Sequence, residues 1–405
     1  MPSVLPEGDT APSDGTLPEA ALAEVSERRL GIYVHVPFCT TRCGYCDFNT
    51  YTAAELGARP GASRSGYVEA VFAELDLARR VLGPDPPAVS TIFLGGGTPT
   101  LLPPGDLGRV VRGIDRRFGL TADAEVTTES NPESVNADDL ARLRESGFNR
   151  ISFGMQSAVP AVLATLDRAH SPGRPAQAVA EARAAGFDQV SLDLIYGTPG
   201  ETLADWETSL AAAVATRPDH LSAYALVVEP GTRLAARIRR GELATTDEDD
   251  LADKYLLAEE RLTAAGYSAY EVSNWATTAA GRCRHNLGYW RGDHWWGIGP
   301  GAHSHVGGVR WWNVKHPAAY AARLESDASP AYAREVLTPE QRRTERVLLE
   351  LRLSDGLPVE VLTPAEQRRV PDLIARRLAD LAGDRLVLTL RGRLLADGVV
   401  RDLLD

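Results

Sequence analysis

Cysteine is scarce in this chain, a bilayer-length apolar run is missing, and basic side chains are outnumbered by acidic ones. Each shortage excludes a class of protein. Four cysteines in 405 residues, three of them within eight positions, cannot form a disulfide framework and instead suit a reducing compartment and metal ligation. The most apolar stretch, residues 221–228, falls far short of the ~20 residues that cross a bilayer, so no membrane anchor is expected. Before Arg28 stand Glu7, Asp9, Asp14, Glu19, Glu24 and Glu27 but no Lys or Arg, so the basic start of a signal peptide is also lacking. With 55 Asp and Glu against 43 Lys and Arg, the net charge of -12 offers no cationic footprint for phosphates. The expectation is a cytoplasmic protein that does not bind nucleic acid.

What is present resembles an ordinary globular chain: 44% hydrophobic and 24% charged, against typical values of ~45–50% and ~25%. Residues 1–28, rich in Pro, Gly, Ala and acid, read as a disordered leader. Short apolar runs at 32–36, 91–94, 125–129, 150–154, 189–194 and 220–226 then alternate with helical patterns at 67–82, 106–118, 137–146, 160–166, 175–185 and 203–216. Six strand-then-helix units in a row predict an α/β fold with a parallel sheet. Special residues gather after these runs, where barrel enzymes place their sites, which favours a partial (β/α)6 barrel over residues 29–230. An aromatic and His-rich extension, 231–332, follows. Residues 333–405 suggest a small winged-helix-like unit, with helices at 339–353 and 368–382 and a hairpin at 386–395.

The strongest chemical signal is Cys39, Cys43 and Cys46 at spacing C-x3-C-x2-C. A tetrahedral zinc site takes four protein ligands, and cubane iron–sulfur clusters usually take four cysteines. Three thiols therefore suggest a cluster with one iron open to a small molecule. The competing reading is a structural zinc site completed by Cys283, His35 or Asp47. Gly95-Gly96-Gly97-Thr98-Pro99-Thr100 follows the second strand, and consecutive glycines let a ligand approach the backbone. Taken singly, Glu129, Gln156 and Asp193 could be caps or rim salt bridges, and Arg168 could pair with Asp167 or Glu181.

Together the cysteine loop, with Tyr45 before its last thiol, and the glycine run resemble the radical S-adenosylmethionine (SAM) superfamily. The resemblance then extends over nearly the whole chain to the family of oxygen-independent coproporphyrinogen III oxidase and its haem-chaperone relatives. It rests on residues 33–39 and 95–100, on Glu129-Ser130-Asn131-Pro132-Glu133, on Ser152-Phe153-Gly154-Met155-Gln156-Ser157, and on residues 193–200. The resemblance implies a 4Fe-4S cluster on Cys39, Cys43 and Cys46, and SAM held by Tyr33, Tyr45, Gly96, Gly97, Thr98 and Glu129. Gln156, Arg168 and Asp193 would lie farther along the same mouth.

Two features separate the branches of that family. The oxidase carries another cysteine two residues beyond the last cluster cysteine, whereas Cys46 here is followed by Asp47-Phe48-Asn49. Cys283-Arg284-His285-Asn286-Leu287-Gly288-Tyr289-Trp290 contains an H-N-x-x-Y-W string that is similar to a haem-binding motif. The chaperone branch is therefore favoured, with haem as cargo, respiratory haem enzymes among its acceptors and no residue assigned to catalysis; radical decarboxylation of coproporphyrinogen is the alternative. Outside the motif, His285 would read as a hydrogen-bonded structural histidine; inside it, as a haem ligand. Cys283 reads as a buried thiol, Trp295 and Trp296 as core, His303 as a secondary candidate ligand, and His35 as support for the cysteine loop. Assembly into a homodimer is left open.

Overall fold

Apolar side chains at alternate strand positions, with capped amphipathic helices between them, make the chain return repeatedly to one sheet. The computed structural model describes residues 7–57, 61, 63–168, 171 and 173–404. A short edge strand, β1 (Asp9–Thr10), precedes the central run of β2 (Leu30–Val36), β3 (Val89–Gly96), β4 (Leu120–Ser130), β5 (Arg150–Gln156), β6 (Gln189–Tyr196) and β7 (His220–Ala225). These six lie side by side in sequence order and pair in parallel. Helices Arg64–Val81, Pro104–Phe118, Ala137–Glu145, Arg174–Ala184 and Leu203–Ala215 cross between them. Their starts are chemically marked: Asn136 with Asp139 and Thr202 with Asp205 form capping boxes that satisfy the first free N–H groups.

The strands have two unlike faces. Ile32, Val34 and Val36 of β2, and Ile92 and Leu94 of β3, are fully buried in the main core with helix residues such as Val71, Leu75 and Ile114. The alternate positions carry Tyr33, Phe93, Thr127, Glu129, Ser152, Asp193 and Ser222, which face the inside of the curved sheet and line a cavity. The six-unit expectation holds, and a seventh parallel strand joins it. After β8 (Ser268–Ala269) and β9 (Asn274–Ala276), which finish the β7 edge, β10 (His294–Ile298) pairs in parallel with β2. Antiparallel β11 (His303–Val306), β12 (Val309–Asn313) and β13 (Ala331–Val336) extend the sheet beyond it.

Part of the expected leader is structured instead. Residues 1–6 lie outside the described residues, but β1 pairs with β13, and Leu17, Ala21 and Val25 are buried in the main core. Ala21 lies on the short helix Glu19–Ala23, Leu17 precedes it and Val25 opens the 3-10 turn that follows, and together they supply the burial that the polar composition concealed. The C-terminal unit has its own apolar core around Val347, Leu357, Leu373, Leu386 and Leu403. Its helix Pro339–Glu350 matches expectation, yet residues 368–382 divide into a short helix, Val370–Ala375, and a strand, β15 (Ala379–Ala382), which pairs with β16 (Arg385–Leu388). Gly383, at φ 66°, makes the tight turn of that hairpin, so the hairpin lies earlier than residues 386–395. β14 (Leu357–Pro358) completes the three-stranded sheet, whereas β13 belongs to the main sheet despite the boundary expected at 333.

Candidate functional site

The ends of β2 and β3 carry the first two signals and hold them together. Beyond β2, the cysteine loop is stitched to the glycine run by backbone bonds: Gly97 N–H donates to Val36 O at 2.8 Å and Thr98 N–H to Phe38 O at 2.8 Å. Glycine is required by this approach, because a Cβ on Gly97 would meet Phe38 O at 2.5 Å and one on Gly96 would meet the His35 ring at 2.5 Å. Gly96 also has φ 107°, a conformation that L side chains rarely adopt. His35 supports the loop as expected: its Nε2 lies 2.9 Å from Asn49 O, while Asn49 donates to Pro300 O and Lys315 O. Burial lowers His35 to about 4, which keeps it neutral.

Cys39, Cys43 and Cys46 are free, half-buried thiols on the wall of one cavity of about 960 Å³. Burial raises Cys39 and pushes Cys46 up to about 11. Among the described residues, no three His, Cys, Asp or Glu side chains converge on a point as a single-ion site requires. Three thiols lining one cavity fit separate irons of a cluster. Arg168 Nη1 donates to Cys43 Sγ at 3.5 Å and its Nη2 to Gly154 O at 3.2 Å, so Arg168 does not pair with Asp167 or Glu181. Those two bind Arg233 and Arg174.

The residues expected to hold the cluster, SAM and haem all line this same cavity, Tyr33, Tyr45, Thr98 and His285 among them, whereas His35 and His303 do not. Glu129 accepts from Gly96 N–H at 3.1 Å, and burial together with the neighbouring Asp193 raises its carboxyl to about 7. Asp193 accepts from Ser152 Oγ at 2.9 Å, and burial raises it as well. Gln156 has φ 63° at a register shift between β5 and β6, a strained backbone at a residue that lines the cavity.

The opposite end is closed by a plug helix, Arg284–Arg291, set against the starts of the strands. Glu125 near the start of the paired part of β4 accepts from Arg284 N–H and His285 N–H, each at 3.0 Å, an acidic cap where the helix carries its free donors. His285 is 3% exposed, with Nδ1 2.8 Å from Thr91 Oγ1 and Nε2 2.8 Å from Tyr289 OH, and its ring stacks on Phe93. Burial depresses it to about 3, so the imidazole is neutral. Cys283 is a buried thiol, as expected, pointing at Glu125. Trp296 is core, while Trp295 is half-buried against Tyr289 and His305. His303 stacks on Trp312, lies outside the cavity lining, and leaves Nε2 without a partner.

Sequence reasoning missed the polar inner wall: Thr127, Arg150, Ser191, His220 and Ser222 also face the cavity. The signal was present as polar residues at every second position of strands that should be apolar on both faces.

Comparison with known proteins agrees with this geometry. The Radical SAM superfamily pattern matches residues 33–213. A protein of Mycobacterium tuberculosis (strain H37Rv) described as "Heme chaperone HemW" is 55% identical over 383 residues, covering 95% of this chain and 97% of the relative. The Escherichia coli (strain K12) "Heme chaperone HemW" is 38% identical across 68% of this chain and 70% of its own length. The solved structure of coproporphyrinogen III oxidase (HemN) from Escherichia coli superposes with a TM-score of 0.80 at 24% identity, over 97% of this chain and 96% of that one, which establishes a shared fold. With cysteine loop, glycine run and rim residues around one cavity, and with such identity along nearly its full length, the chain belongs to the HemW family of the radical SAM superfamily.

Proposed function

We propose that this chain is a haem chaperone, which keeps a SAM-ligated 4Fe-4S cluster and passes haem to acceptor proteins such as respiratory haem enzymes in the cytoplasm. The 55% identity to the Mycobacterium tuberculosis HemW over 95% of the chain carries this reading. Asp47-Phe48 after the last cluster cysteine supports it. Among the described residues, no helix is long and apolar enough to cross a membrane.

In this reading Cys39, Cys43 and Cys46 hold three irons and leave one for SAM. The cluster would supply a one-electron donor to bound SAM. Glu129 accepts from ribose hydroxyls, Gln156 and Asp193 provide acceptors deeper in the cavity, and Arg168 offers a cation beside Cys43. The glycine run at Gly96 and Gly97 leaves backbone groups open, with Thr98 beside them and Tyr33 and Tyr45 as walls. His285 is the haem ligand on this reading. Its neutral ring is the form that binds iron, and ligation through Nε2 requires Tyr289 to give up its hydrogen bond.

Anaerobic reconstitution with iron and sulfide, followed by haem titration and a coproporphyrinogen assay, tests the reading. Haem should bind stoichiometrically, and His285→Ala should weaken it about tenfold, a loss of roughly 1.4 kcal/mol, with the cluster spectrum unchanged. Robust SAM-dependent decarboxylation of coproporphyrinogen would replace the chaperone reading with the oxidase.

A further inference from the structure

We propose that the floor of the cavity is a separate binding site for a small hydroxylated monocarboxylate, built around Arg150. Arg150 opens β5 and is 2% exposed. Among the described residues its side chain makes one hydrogen bond, Nη1 to Gly281 O at 2.8 Å. A guanidinium has five N–H donors, so most of this one is uncommitted although it lines the cavity. Glu125 stands close enough to offset its charge, yet that carboxylate is already occupied by the backbone N–H groups of Arg284 and His285 and by the Cys283 thiol. Glu125 therefore leaves the Arg150 fork unfilled, and among the described residues no carboxylate pairs with that guanidinium directly.

Thr127 is an independent observation pointing to the same place. It is fully buried, faces the same cavity, and its Oγ1 has no hydrogen-bond partner. Buried polar groups are nearly always satisfied, so an idle hydroxyl and an idle guanidinium around one cavity mark where a ligand's polar atoms go. The interior of such a barrel is ordinarily packed with branched apolar side chains. Here the volume is open, and a belt of Ser152, Asp193 and Ser222 surrounds it above Arg150.

These groups define the ligand. A carboxylate matches the planar guanidinium fork in two parallel bonds. One or more hydroxyls answer Thr127 and the serine belt, and the Phe93 and Tyr33 rings across the cavity accept the carbon skeleton. The buried acids Asp193 and Glu129 make extra negative charge in the cavity costly, which favours a monocarboxylate over a phosphate.

Titration calorimetry on the full chain, metal-free and reconstituted, with glycolate, L-lactate or D-glycerate tests the site, with lactamide and inorganic phosphate as controls. At least one hydroxy acid should saturate at one per chain, with lactamide silent and phosphate at least about tenfold weaker. Arg150→Gln should weaken binding at least about tenfold and Thr127→Val about threefold. If Arg150→Gln does not fold, Arg150→Lys, which keeps the cation and loses the fork, should show the same tenfold loss. The site is overturned if none of the three acids saturates, if lactamide or phosphate binds as well, or if Arg150→Lys and Thr127→Val bind like the parent. Haem plays no part in these measurements, so the result stands apart from the chaperone reading.

Discussion

His285 and Glu129 face the same cavity from opposite ends, and burial forces both toward their neutral forms. The folded His285 titrates at about 3, below its ordinary 6.5, so its contribution to stability is whole above pH 6.5 and is lost as pH falls toward 3. Glu129 has the opposite sign. Its folded value of about 7 lies above the ordinary 4.5, so its contribution is whole below pH 4.5 and is lost as pH rises through 7. Between pH 4.5 and 6.5 the two trends oppose each other, and the acid limb steepens below that window. Glu129→Gln removes only the alkaline penalty. It should raise the melting temperature of the metal-free chain by about 2 °C at pH 8 and leave it unchanged at pH 4.5, as read by calorimetry at both values.

At the scale of elements, the cysteine loop and the glycine run form one unit, because each uses the other's backbone. Gly97→Ala would drive a Cβ against Phe38 O, and neither backbone has room to yield. The variant should take up at least about fivefold less iron on anaerobic reconstitution, while the sheet stays folded by circular dichroism. A normal iron content would show that the loop tolerates displacement. The six central strands were legible because their apolar period and the following special residues point to the same architecture. The aromatic strand His294–Ile298 was not, because Trp-rich sequence suggests packing of any kind, and its parallel partner Leu30–Val36 lies more than 250 residues away. The burial of Leu17, Ala21 and Val25 was not legible, because the three fall in a loop, a short helix and a 3-10 turn that share no single period, with Pro and acid around them. In the site, the Cys, Gly and Glu129 signals could be read from motifs, whereas Arg150 could not, since an Arg at a strand start ordinarily faces water.

Across the whole molecule, the C-terminal unit bears on the plug helix through an apolar contact of Leu353 with Leu287 and Trp290 and through one carboxylate. Asp355 pairs with Arg291 at 2.7 Å and with Arg282 at 3.5 Å, on either side of the segment that carries Cys283 and His285. Exposed ion pairs contribute little each, about 0–1 kcal/mol, so Asp355→Ala should leave global stability nearly unchanged. Its effect should be local: faster amide hydrogen exchange over residues 282–291, with exchange in β2 to β7 unaltered. Equal exchange in both proteins would mean that the Asp355 ion pairs do not help to seat the helix, leaving Glu125 and the Leu287–Leu353 contact to do so.

The seated helix has a kinetic corollary. A barrel stoppered at its base is loaded and emptied through its rim, so on the proposed placement of SAM a ligand on Arg150 would have to arrive before SAM and wait for SAM to depart. Such a vessel works last in, first out, and trapping of the deeper guest by SAM would appear as a dissociation rate that slows as SAM concentration rises.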